Sequence, residues 1–126
     1  MGALSQSEIV AFFADLHAKR QRAETENFCN FLDELFELRD LWDCTFFTSL
    51  ATFCIVRYPA REWRGKPMLS LRIASSARLL IELRITTQTK PSLRATTESS
   101  SAPWNVAFDE FDRLYSRFMD AHDDLQ

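Results

Sequence analysis

The first forty residues set apolar positions at helical spacing. Ser5 followed by Glu8 has the spacing of a capping box, and Ile9, Phe12, Phe13 and Leu16 then share one face, which predicts a helix over about 6–22. The stretch "QRAETEN" interrupts the stripe. It resumes as Phe28, Phe31, Leu32, Leu35 and Leu38, with Asp33, Glu34 and Glu37 on the opposite side. No Gly or Pro marks the join, so one bent helix and a helical hairpin fit the pattern equally well.

From Trp42 onward the pattern changes. "CTFFTSLATFCIVRYP" is rich in Thr, Val and Ile and ends at a proline, which predicts a strand over about 51–58. Residues 44–50 suit either a strand or a helical turn carrying Phe46, Phe47 and Leu50. Within the strand Phe53 and Ile55 point one way and Cys54, Val56 and Tyr58 the other, so both sides are apolar. In "MLSLRIASSARLLIELRIT" the residues Leu69, Leu71, Ile73, Leu79, Ile81, Leu83 and Ile85 alternate with Ser70, Arg72, Leu80, Glu82, Arg84 and Thr86, the pattern of a β-hairpin. Keeping both apolar sets on one face restricts the register, and the pairing expected sets Arg72 opposite Glu82 across a short Ser/Ala/Arg loop.

Residues 88–104 offer few groups to bury and several turn formers, and are expected to form a flexible loop. The last element starts near Asn105. Phe108, Phe111, Tyr115, Phe118 and His122 repeat at alternating three- and four-residue steps, with Leu114 and Met119 widening the stripe, which predicts an amphipathic helix. Asp109, Glu110 and Asp112 suit its N-terminal end, whereas Asp120, Asp123 and Asp124 oppose the dipole at the other. The expected architecture is a single α+β domain over 1–126: N-terminal helices, a three-stranded antiparallel meander, and a C-terminal amphipathic helix packed on the sheet.

Composition fits this reading. The chain has 126 residues, 46% of them apolar, with eleven Phe and three Trp, enough for one compact core. The N-terminus lacks the pattern of a secretory signal, and no segment approaches the run of about 18 apolar residues that a membrane helix needs. Cys29, Cys44 and Cys54 are odd in number and far apart, which argues against a disulfide framework and for a reducing compartment. A cytoplasmic location without membrane association is expected.

Charge is distributed unevenly behind a net value of −3. Residues 1–40 hold four basic and eight acidic side chains, residues 41–100 nine and four, and residues 101–126 two and six. A basic middle lies between acidic ends. Its densest stretch, "RYPAREWRGKP", sets Arg57, Arg61, Arg64 and Lys66 beside Tyr58 and Trp63, and Arg72 follows on the hairpin.

Candidate chemistry is sparse. His17 and His122 each follow a stripe Phe by four residues and read as edge-of-core side chains. Neither CxxC nor HxxxH spacing occurs, so no metal site is expected. Cys54 lies within "FCIV" and reads as an inert core thiol. With Gly2 and Gly65 the only glycines, a glycine-built phosphate cradle is excluded, and no nucleophile elbow is present. No cofactor is expected, and a non-catalytic role is preferred to an enzyme.

The basic middle is then the one pointer to a partner. Interleaved arginines and aromatics can contact phosphates and stack bases, and the order helix, three strands, helix is similar in outline to double-stranded-RNA-binding domains. Those domains carry basic residues at the start of the last helix, where "NVAFDEFD" is acidic, and the outline alone assigns no family. Solvated or internally paired arginines rank first, a protein partner second and nucleic acid third. The expected function is a non-catalytic protein–protein interaction module (an adaptor, inhibitor or dedicated partner) with Arg57, Tyr58, Arg61, Trp63, Arg64, Lys66 and Arg72 as the partner-binding residues. The alternative is a small nucleic-acid-binding module using residues 57–72, and the third reading a small-ligand-binding protein or enzyme. Apolar surface beyond what three strands can cover makes a homodimer an expectation as well.

Overall fold

The computed structural model describes residues 3–41, 44–57, 67–89 and 92–124, with side chains other than those of 86–89, 92–95 and 122–124. The order is α1 (Gln6–Arg20), α2 (Ala23–Leu38), β1 (Thr45–Ser49), β2 (Thr52–Val56), β3 (Met68–Ser75), β4 (Arg78–Thr89), β5 (Ser92–Pro103), a short 3₁₀ turn (Trp104–Val106) and α3 (Ala107–Asp124). The strands form one antiparallel sheet in the order β1-β2-β3-β4-β5. The fold is α+β, but among the described residues the sheet has five strands where the sequence pattern predicts three.

The helical pair is a hairpin. Ser5 Oγ accepts from the Glu8 amide and Glu8 Oε1 accepts from the Ser5 amide, so the capping box closes at the start of α1. Gln21 ends the helix in the left-handed conformation, with its amide on the His17 carbonyl. Thr25 then fastens the turn: its buried Oγ1 accepts from the Arg22 amide at 3.3 Å and donates to the Arg22 carbonyl at 2.8 Å. His17 Nδ1 stands 2.7 Å from the same oxygen. With the Thr25 hydroxyl hydrogen given to the carbonyl, His17 Nδ1 is the donor, and the ring pins α1 to α2.

Both added strands escape the periodicity rule for physical reasons. In β1, Phe46 packs into the main core and Phe47 into a second, smaller cluster with Cys54 and Val56, so consecutive large residues are buried on opposite faces. In β5, in place of the expected loop at 88–104, the core-facing positions are mostly polar. Glu98 receives Arg113 and Arg117 of α3, Ser100 Oγ donates to Glu110 at 3.1 Å, and among the described side chains of β5 only Ala102 enters the apolar core. The hydrogen bonds from Arg113 and Ser100 hold the Glu110 carboxyl below its ordinary pKa.

The β3–β4 hairpin keeps the expected faces but not the expected register. Leu71 pairs with Ile81, Ser70 with Glu82 and Arg72 with Leu80, so Arg72 is not opposite Glu82; it reaches that carboxylate diagonally, Nη2 to Oε1 at 3.4 Å. A two-residue turn, Ser76–Ala77, closes Ser75 on Arg78. Continued without interruption, that pairing would set Leu and Ile of one strand on the face opposite those of the other. An irregularity between Ile73 and Ser75 leaves Ala74 as the extra residue and restores the match.

One face of the sheet carries Phe46, Phe53, Ile55, Leu69, Leu71, Leu79, Ile81 and Leu83 into a core shared with Ile9, Phe13, Phe28, Phe31, Leu32 and Leu35 of the helical hairpin and Phe111, Leu114 and Phe118 of α3. The stripe expected of the last helix is confirmed through Phe118, with Phe108 and Tyr115 packed against its margin; the side chains of His122, Asp123 and Asp124 lie outside the described residues.

Candidate functional site

The expected partner-binding residues divide into two sets. Tyr58, Arg61, Trp63, Arg64 and Lys66 lie outside the described residues. Arg57, just past β2, is half-buried and engaged in interactions of its own. Arg72 is exposed on the sheet face opposite the main core, paired diagonally with Glu82.

That face carries a half-open groove of about 820 Å³. Phe47, Cys54 and Met68 give it an apolar floor; Phe47 and Cys54 are buried with Val56 in the second cluster, and Met68 packs against them. The β3 and β4 side chains Ser70, Arg72, Glu82 and Arg84 form one wall, and Leu16 and Arg20 of α1 close one end. Alternation places them together: positions two apart on a strand share a face, so the polar members of the hairpin pattern come up beside the apolar members of β2 that point away from the helices.

Electrostatically the groove is basic. Arg72 and Glu82 offset one another, whereas Arg20 and Arg84 are exposed and carry no ion pair among the described residues. Sequence reasoning singled out Arg72 and missed these two. Arg84 was legible as a polar position of an alternating strand; Arg20, at the end of a helix far upstream, is joined to it only by the fold.

The mouth is formed by the β1–β2 turn. Ser49 pairs with Thr52, leaving Leu50 and Ala51 as the turn residues, at φ 50° and 62°. Positive φ at both central positions is the requirement of a type I′ hairpin turn, normally met by Asn-Gly, and a side chain with a Cβ pays for it with steric strain. Leu50 is moreover 98% exposed. A branched apolar residue is thus held in water, on an unfavourable backbone, at the edge of an apolar-floored groove.

Among the described residues the groove lining holds one thiol, Cys54, and one carboxylate, Glu82. Burial pushes the Cys54 thiol up to about 11, so at neutral pH the thiolate is a fraction on the order of 10⁻⁴. Among the described residues no histidine lines the groove, its carboxylate Glu82 is held by Arg72, and no three His, Cys, Asp or Glu side chains gather closely enough to hold a metal ion. Among the same residues no helix is long and apolar enough to cross a membrane. Comparisons with protein-family models, with curated proteins and with solved structures each return no match.

Proposed function

We propose that the chain is a non-catalytic protein-interaction module, and that the groove is where a segment of a partner protein docks. The observation that carries this reading is Leu50: a turn that forces left-handed backbone on Leu and Ala is a local conflict, and such conflicts concentrate at functional positions. The exposed leucine is an apolar anchor for a partner, and the arginines around the groove select an acidic segment and steer its approach. The neutral Cys54 thiol and the pairing of the groove carboxylate Glu82 with Arg72 favour binding over catalysis.

The test is capture from host extract, with nuclease treatment, by the wild-type chain and by Leu50→Asp and Arg84→Glu. A protein retained by wild type and lost by both folded variants supports the reading. Equal recovery by all three removes the groove from the functional surface, and retention abolished by nuclease transfers the arginines to a nucleic-acid partner.

A further inference from the structure

The two edges of the sheet are treated differently. β1 is five residues long, and the Leu4 amide bonds to the Phe46 carbonyl at 2.8 Å, covering part of its outer side. β5 is twelve residues long, and among the described residues nothing pairs with its outer side. Short strands, lysines, internal prolines and bulges are among the usual protections of an edge, and β5 has none of these; its proline stands at the last position, and its inward-facing charge, Glu98, is neutralised by Arg113 and Arg117 of α3. The β4–β5 pair also outruns the rest of the sheet. β3 begins at Met68 opposite Arg84, while β4 and β5 stay paired to Thr89 and Ser92, so their far ends form a ribbon with no third described strand. A two-stranded ribbon alone is marginal in water.

We infer that β5 pairs antiparallel with β5 of a second copy of this chain, about a two-fold axis at Thr97, giving one continuous sheet. Both copies have the same uncovered edge, which is the condition for an isologous interface. The sequence of β5 is compatible with itself. Its charged residues are Arg94 and Glu98, and a register centred on Thr97 sets them opposite the partner's Ser100 and the partner's Thr96, so no like charges face one another. This register uses the strand from Ser92 to Ala102, stops where Pro103 has no amide to donate, and supplies a third strand to the ribbon.

The helices do not obstruct it. α3 packs chiefly over β4, with contacts to β3 and β5 on either side. Three strand spacings separate β4 from the partner's β4, about 14 Å, more than the 8–10 Å of packed helices. A two-fold perpendicular to the sheet leaves both grooves on the same side, and Arg84, paired with Thr97 within one chain, stands beside the axis in both copies.

The test is sedimentation of the full chain at micromolar to high-micromolar concentration, with three variants at the exposed Thr97 and one at the exposed Ser101. Wild type sediments as a concentration-dependent dimer. Thr97→Lys and Thr97→Glu each weaken it by about tenfold or more, because like charges meet at the axis, and mixing the two restores a heterodimer. Under oxidation Thr97→Cys gives a disulfide-linked dimer, since directly opposed residues lie within bridging range, whereas Ser101→Cys, which faces the partner's Leu93, does not. A chain that stays monomeric throughout, or a dimer indifferent to Thr97→Lys, overturns the inference. Either result leaves the groove reading to its own test, capture with the Leu50 variant, because Leu50 lies in the β1–β2 turn at the far edge of the sheet from β5, whereas Thr97 and Arg84 line the groove and also flank the axis.

Discussion

Arg39, one residue beyond α2, grips both carboxylate oxygens of Asp112 on α3: its Nε lies 3.0 Å from Oδ1, and its Nη2 holds Oδ2. The same guanidinium carbon stands 4.9 Å from the centre of the Phe108 ring. The bidentate fork ties the end of the helical hairpin to the first turns of the last helix, and Asp112 raises the guanidinium pKa above its ordinary value. Lysine keeps the charge but offers neither the fork nor a flat cation to stack. Arg39→Lys is therefore expected to lower the denaturant midpoint nearly as far as Arg39→Ala. A double-mutant cycle with Asp112→Asn should show favourable coupling that shrinks with added salt, since both side chains are 37% exposed. Full rescue by lysine would show that charge alone joins the helices.

Ala74 is the unpaired residue of the β3–β4 hairpin. Deleting it while keeping the Ser76–Ala77 turn makes Ser75 on Arg78 and Ile73 on Leu79 consecutive pairs, so Leu69, Leu71 and Ile73 stay on the core face without the bulge. The deletion variant is expected to keep cooperative unfolding, as measured by near-UV circular dichroism and urea titration, and loss of cooperativity would show that the bulge itself is required. Leu71→Asp and Ile81→Asp, which oppose one another and are fully buried, should each cost several kcal/mol, a large part of a stability of about 5–15 kcal/mol. Phe118→Ala, likewise fully buried, should cost about 3–5 kcal/mol.

How much of this was legible depended on where the hydrophobic contrast lay. The helical hairpin, the faces of β3 and β4 and the α3 stripe bury apolar residues on one side only, so their periodicity was readable. β1 was ambiguous because Phe46 and Phe47 enter separate clusters, which erases alternation. β5 was invisible to the same rule, since Glu98 and Ser100 meet Arg113, Arg117 and Glu110 where another strand would place leucines. The site followed the same division. Arg72 stood in a clear alternating strand, whereas the groove needs residues from α1 and five strands, and no local pattern announces that convergence.

Cys54 offers a pH test. Its thiol is raised by burial from an unfolded value near 9.0 to about 11. Below both values the two states bind the proton equally and the native state keeps its full stability. Between them the unfolded chain loses the proton while the native chain retains it, so stability falls as pH rises, by roughly 3 kcal/mol at most across the window. Urea titrations from pH 8 to 11 should show a steeper loss for wild type than for Cys54→Ala, whose thiol is absent. Identical slopes would mean that the thiol ionises as freely in the native state as in the unfolded chain.

The β1–β2 turn separates stability from function. Replacing Leu50 and Ala51 by Asn and Gly supplies the residues that positive φ favours and removes a backbone strain of about 1 kcal/mol or more per residue. The entropy that glycine adds to the unfolded chain offsets part of this, so a net gain of about 1–2 kcal/mol is expected in denaturant titration. If Leu50 anchors a partner, the same variant binds that partner more weakly although it is more stable, and Ala51→Gly alone gains stability without losing binding. A variant that is stabilised with partner binding undiminished would show that Leu50 is a tolerated turn residue, and the anchor would then have to be sought among Leu16, Phe47 and Met68 in the groove.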